Sequence, residues 1–257
     1  MRLLERQTGG EICLTADLHD DDLPRYAILS HTWGDESEEV SYADFVHGVG
    51  RQKAGFQKIQ FCVEQAAKDG LRYSWVDTCC IDRSSSAVLS QAITSMFRWY
   101  ERATKCYVYL SDVLMSGQDS GRTPPAWQLD FRSSRWFTRG WTLQEILAPK
   151  SVEFFSRDRR RLGDKRTLVR PINDVTGISV SALQGTPLSE FEVDVRMSWA
   201  AKRDTKLKED KAYSLLGIFG VSMPLIYGEG GDKAFCRLRE EINKVLQGKL
   251  LVLLLFY

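Results

Sequence analysis

The hydrophobic pattern alternates between short apolar runs and longer amphipathic stretches. Tyr26-Ala27-Ile28-Leu29-Ser30, bounded by Pro24 and a turn at Gly34, predicts a buried strand. Between Lys53 and Asp69 the apolar positions Ile59, Cys62, Val63, Ala66 and Ala67 recur at helical spacing, and Gly70 supplies a stop. Tyr73 to Thr78 predicts a second strand. Leu89, Ile93, Met96, Phe97 and Tyr100 mark a second amphipathic helix, and Lys105 to Leu110 a third strand. Strand, helix, strand, helix, strand implies a parallel sheet with right-handed crossovers, and nearly continuous apolar strands imply that both faces are covered.

After a Ser, Gly, Asp and Pro-Pro loop over residues 111–126, Trp136 to Leu147 predicts a helix ended by Pro149. Val152-Glu153-Phe154-Phe155 suits a fourth strand. Beyond about residue 160 the pattern changes to short helical pieces: Leu168 to Val175, Val193 to Lys202, Asp210 to Phe219, and Lys233 to Leu246. The expected fold is α/β: a parallel sheet flanked by helices over about residues 24–156, with a helical extension over about 157–247. Residues 248–257 form an apolar tail to which the pattern assigns no role.

Composition agrees with a globular chain. Of 257 residues, 43% are hydrophobic and 27% charged, and 35 Lys and Arg face 34 Asp and Glu. This excludes a disordered chain and gives no summed field to attract nucleic acid or a membrane surface. The first residues lack the apolar stretch of a secretory signal, and the longest apolar run, Leu250 to Tyr257, is far short of the roughly 20 residues of a spanning helix. The expectation is a cytoplasmic protein with its six cysteines as free thiols, and with no zinc site, because no C-x-x-C pair occurs.

Ligands of open parallel sheets bind at the carboxyl ends of the strands. That rule selects Ser30-His31-Thr32-Trp33-Gly34, Asp77-Thr78-Cys79-Cys80-Ile81-Asp82, and Ser111-Asp112. The bland reading makes Ser30 and Asp77 helix caps and Trp33 a core lid. A second feature is Arg135 to Glu145, where Trp141 and Glu145 fall four apart on one helical face. An indole beside a carboxylate would desolvate it and raise its pKa. Alternatively Trp141 is core and Glu145 pairs with an arginine such as Arg139.

Several motifs resemble the heterokaryon incompatibility (HET) domain of filamentous fungi: Tyr26-Ala-Ile-Leu-Ser-His-Thr-Trp-Gly34, Trp75-Val-Asp-Thr-Cys-Cys-Ile-Asp82, Met96-Phe-Arg-Trp-Tyr100 and Arg139-Gly-Trp-Thr-Leu-Gln-Glu145. The likeness continues through Ala212-Tyr-Ser-Leu-Leu-Gly-Ile218 and Leu225-Ile-Tyr-Gly-Glu-Gly230, so a HET domain is expected over residues 1–247. Met1-Arg-Leu-Leu-Glu5 resembles the start of HET proteins that continue into a NACHT module and WD repeats. In that family the domain triggers cell death in non-self recognition, which implies self-association on activation and a receptor portion or partner.

The family is also held to be distantly similar to TIR domains, which have a flavodoxin-like sheet. Many TIR domains hydrolyse NAD with a glutamate four residues after a tryptophan, the spacing of Trp141 and Glu145. The resemblance therefore implies NAD, or a related nucleotide, as substrate with no bound cofactor. Glu145 would be catalytic, with Ser30, His31, Trp33, Asp77, Cys79 and Trp141 around the substrate. The sequence departs from the family at Val88 and Gln91, where acids are common.

Rival readings stay open. Cys79 or Cys80 with His31 as base would make a hydrolase, if the thiol pKa is depressed. A non-enzymatic domain would use the strand-edge cluster for self-association. Six cations against two acids over residues 157–166 make a solvated turn or a weak nucleic-acid patch, without aromatic interleaving. Tyr227 to Lys233 makes either the turn that starts a helix or a phosphate cradle.

Overall fold

A seven-stranded sheet runs through the molecule, in the order β2-β1-β4-β3-β5-β6-β7. The computed structural model describes residues 1–115 and 126–255, with side chains as far as residue 248. The strands are β1 (Leu4–Arg6), β2 (Ile12–Leu14), β3 (Tyr26–His31), β4 (Tyr73–Trp75), β5 (Lys105–Leu110), β6 (Val152–Ser156) and β7 (Arg161–Asp164). The central four, β4-β3-β5-β6, are parallel. Taken in chain order they lie second, first, third, fourth, as in flavodoxin-like sheets, so the order reverses between β3 and β5. Antiparallel pairs close both sides, β1 on β4 and β7 on β6.

The sheet therefore extends past the expected 24–156 core at both ends. β1 and β2 are three residues each, and β7 four. Elements this short carry too few alternations for periodicity to register. They form because a tight turn, with Gln7 N–H donating to the Glu11 carbonyl and Gly10 at φ +83°, folds β2 back on β1.

The helices are α1 (Tyr42–Val46), α2 (Phe56–Lys68), α3 (Asp77–Cys80), α4 (Ser86–Arg102), α5 (Ala126–Ser133), α6 (Thr142–Leu147), α7 (Val169–Thr176), α8 (Val180–Leu183), α9 (Val193–Ser198), α10 (Asp210–Tyr213), α11 (Leu216–Phe219) and α12 (Gly231–Leu255). α2 and α4 are the two amphipathic helices of the sequence. Ser85 caps α4 by accepting from Val88 N–H, and Gly70 at φ +72° ends α2.

Alternation along β5 and β6 separates the two layers. Phe61 of α2 packs its ring on Tyr107, Tyr109 and Phe155. On the other face Trp136 and Phe131 pack on Phe154, and the Cys106 thiol donates to the Glu145 carbonyl.

Three expectations differ from the structure. The strand at Tyr73 stops at Trp75, and Asp77 already opens α3. The helix at Trp136–Leu147 is two pieces, a 3-10 turn at Arg135–Thr138 and then α6. Gly140 causes the break: its N–H donates to the Asp204 carbonyl, and a Cβ there would stand 2.4 Å from Thr205 Cγ2. The helical piece expected over Asp210–Phe219 is also two, α10 and α11, while α5 begins where the loop expected after β5 ends. Residues 116–125 of that loop, and the side chains of the apolar tail from 249 on, lie outside the described residues.

Candidate functional site

Ser30 and His31 end the first parallel strand and point to opposite faces of the sheet, as alternation requires. Each organises its own cluster, and the two meet at the edge where β3 gives way to its loop.

On the α4 and α6 side, Ser30 is fully buried. Its hydroxyl accepts from Trp136 Nε1 at 2.8 Å and donates to Glu145 Oε2. The Tyr100 hydroxyl lies between the Leu29 carbonyl, 2.9 Å away, and the Glu145 carboxyl, with one proton to share between them. Glu145 is 7% exposed. Burial pushes its pKa up to about 8; the nearby Asp77 charge adds to this, while the Ser30 and Tyr100 hydrogen bonds and the charge of Arg203 oppose it. Among the described residues no arginine forms an ion pair with Glu145, so the alternative pairing with Arg139 does not occur.

On the α2 side, His31 Nε2 lies 3.0 Å from Asp77 Oδ1 and Nδ1 lies 3.2 Å from Lys58 Nζ. An ammonium can only donate, so Nδ1 accepts and Nε2–H donates to Asp77. Lys58 also pairs with Glu39, whose Oε1 accepts from Gly34 N–H at 2.7 Å. The loop after β3 is thereby tied to α2. Trp33 Nε1 donates to Asp77 Oδ2 at 2.8 Å. Burial raises the Asp77 pKa, yet His31, Arg83 and Trp33 together hold it below its ordinary value. Neither Ser30 nor Asp77 acts as a helix cap.

The outer part of the site is aromatic and charged. The Arg83 guanidinium lies 4.1 Å over the Trp33 ring and 3.8 Å from Asp77 Oδ2. Trp141, at the N-cap of α6, donates its indole N–H to Asp210 Oδ2 at 3.1 Å, and the Tyr227 hydroxyl donates to Asp210 Oδ1. Burial raises the pKa of Asp210, against the pull of Trp141, Tyr227 and Arg83. Trp141 is thus engaged with Asp210. The indole that shares a hydroxyl with Glu145 is Trp136, which a continuous helix over 136–147 does not place there.

Cys79 stands apart. Its side chain is fully buried, its thiol donates weakly to the Val76 carbonyl, and burial raises its pKa well above the ordinary thiol value. Both His31 nitrogens already have partners. A Cys-His nucleophile needs the opposite of each, and Cys79 is a packing residue rather than part of the cluster.

The two other motifs resolve similarly. The N–H groups of Gly228 and Gly230 both donate to Glu209 Oε1, so the turn before α12 is already filled by the protein's own carboxylate. In the 157–166 stretch, Arg159 pairs with Glu64, Arg160 with Asp158, and Arg161 with Glu153 and Asp164. Lys165 is buried and donates to the carbonyls of Ile146 and Pro149, closing the carboxyl end of α6. All six cysteines are free thiols, and among the described residues no group of His, Cys, Asp and Glu is arranged to hold a metal. Nor, among those residues, is any helix long and apolar enough to cross a membrane.

The fold is a doubly wound α/β domain with a polar and aromatic cluster at the carboxyl edge, where strand order reverses. Residues 26–124 match the family model described as heterokaryon incompatibility protein (HET). Over 244 residues the chain is 57% identical to the vegetative incompatibility protein HET-E-1 of Podospora anserina, an alignment that covers 95% of this chain and 18% of that protein. No solved structure matches. The chain carries a HET domain, and it spans less than a fifth of the relative's length.

Proposed function

We propose that this domain is the effector of a vegetative incompatibility response, and that it causes cell death by hydrolysing NAD at the nicotinamide–ribose bond. The observation that carries this reading is the contact between Ser30 and Glu145 at the strand-order switch. Breaking the bond develops positive charge on the ribose, and a fixed carboxylate facing that charge favours the transition state over the ground state. Water adds to the ribose carbon and nicotinamide leaves as a neutral molecule, so no acid need protonate it. ADP-ribose and a proton are the other products.

In this reading Glu145 is the catalytic residue and Ser30 positions it, with Trp136 fixing the serine hydroxyl. Trp33 offers an aromatic face to a planar ring. His31 and Asp77 hold the loop that presents it, and Trp141 is fixed by Asp210. At rest Glu145 is largely protonated near neutral pH, because its pKa is about 8. The cationic nicotinamide ring would draw the proton off by favouring the carboxylate. The strand order and the Trp141–Glu145 spacing support a distant kinship with TIR domains. The length of the relative supports a further portion, on the same chain or as a partner, and the resemblance of Met1–Glu5 to HET proteins with a NACHT module and WD repeats suggests its kind, in a cytoplasmic setting.

The sealed position of Glu145, 7% exposed, favours a second reading in which the domain signals by self-association alone. Expression of wild type and Glu145→Gln in a fungal host, with viability and cellular NAD measured together, separates the two. Loss of both killing and NAD depletion in the variant supports hydrolysis. Equal killing at constant NAD supports self-association.

A further inference from the structure

A cavity of about 390 Å³ lies beside the turn that launches α6, away from the Ser30–Glu145 contact. Its lining holds three cations, Arg203, Lys211 and Arg239, and no carboxylate. Met197 and Phe235 supply apolar wall, and Ser214 a hydroxyl.

Arg203 is the unusual member. It is 5% exposed, so its charge is withdrawn from water. Its Nε donates to the Trp199 carbonyl at 3.1 Å, and its Nη1 to the Arg139 carbonyl at 2.8 Å and Thr142 Oγ1 at 2.9 Å. These bonds clamp the Arg139–Thr142 turn. Nη2 has no hydrogen-bond partner, and no carboxylate forms an ion pair with Arg203, among the described residues. Burial lowers its pKa to about 10, and the nearby Glu145 charge offsets this only in part. A buried charge is ordinarily compensated by an ion-pair partner, and here two further cations line the same cavity.

Lys211 is exposed and pairs loosely, at 3.4 Å, with Asp204, which is more exposed still. The Arg239 guanidinium lies 5.5 Å over the Phe235 ring. Both can turn toward a ligand. A guanidinium fork engages two oxygens of a phosphate at once, and three positive charges around one cavity suit an anion of more than one negative charge. The volume and the Met197–Phe235 wall leave room for an organic group beside it.

We propose that this cavity binds an organic polyphosphate ester, its phosphates seated between Arg203, Lys211 and Arg239. Because Arg203 holds Thr142, the first residue of α6, the bound anion would brace the helix that carries Glu145. The proposal does not depend on what Glu145 does.

Titration calorimetry of the purified full chain with pyrophosphate and with ADP tests it. The wild type is expected to bind both, ADP more tightly. The double variant Lys211→Ala with Arg239→Ala keeps the fold, since both side chains are on the surface, and is expected to weaken both ligands at least tenfold. Arg203→Met is expected to abolish binding, and if that variant does not fold, the surface double variant decides. No binding of either ligand at millimolar concentration overturns the proposal, as does unchanged binding in the double variant. Equal affinity for the two ligands contradicts the assignment of an ester.

Discussion

The Ser30 hydroxyl donates to the Glu145 carboxyl across 115 residues of chain, joining the end of the first parallel strand to α6. Ser30 has one hydroxyl proton to give, and Glu145 receives it. The same hydroxyl oxygen accepts from Trp136 Nε1, so the serine has one orientation available. The Glu145 carboxyl is thereby held in place, and its protonation becomes sensitive to its partners.

Ser30→Ala removes a hydrogen bond that lowers the Glu145 pKa, so that pKa rises further. The acidic limb of the pH profile for nicotinamide release is expected to move up by about one pH unit, since a hydrogen bond to a charged group is worth roughly 1.5–3 kcal/mol. Activity lost at pH 7 should return in part at pH 9. A profile that keeps its shape and only loses height would make the serine's part purely structural.

Glu145 also makes stability depend on pH. Its folded pKa, about 8, lies above the ordinary carboxyl value of 4.5. The folded state therefore holds a proton that the unfolded chain releases, and this contribution is complete below about pH 4.5 and lost as pH rises through 8. Glu145→Gln has no such loss. Thermal melts should show little difference between the two proteins at pH 5, and an advantage for the variant of roughly 2–4 kcal/mol by pH 9. A constant difference across that range would mean that the carboxyl titrates normally.

Arg83 occupies the face of Trp33 that a substrate ring would use. Its side chain is 42% exposed, so the contact is of the weaker kind, about 0.5–1 kcal/mol. Arg83→Gln is expected to lower KM for NAD two- to fivefold with little change in kcat. A rise in KM would show that Arg83 helps to hold the substrate instead.

Much of the fold was legible because its central elements are long and strongly patterned. Lys105–Leu110 forms a strand at the bounds its apolar run predicts, and α2 and α4 follow the helical spacing of their apolar residues. Gly70 ends α2, as its freedom at positive φ suggests. The edge strands β1, β2 and β7 were too short to register, and the break at Gly140 depends on Asp204 and Thr205, more than sixty residues downstream. Within the site, the strand-edge rule finds Ser30, His31, Trp33 and Asp77 from local sequence alone. Trp136, Arg83 and Asp210 enter it through contacts that only the folded chain creates, and Cys79, close by in sequence, is turned into the core.

The helical extension is fastened to α4 at one crowded point. A Cβ on Gly217 of α11 would stand 2.1 Å from Phe97 Cβ. Gly217→Ala is expected to destabilise the protein by about 1–3 kcal/mol, the usual range for overpacking, as seen by chemical denaturation. Phe97→Gly removes that Cβ together with the ring beyond it and should relieve the crowding, so the double variant should lose less than the sum of the two single losses. Additive losses would place the two residues out of contact.

The most direct measurement is nicotinamide release by purified wild type and Glu145→Gln, at high protein concentration, across pH 6 to 9. The account predicts a wild-type kcat/KM that rises with pH and levels off above about pH 8, as Glu145 ionises, with the variant inactive throughout. Release by the variant at the wild-type rate would contradict it.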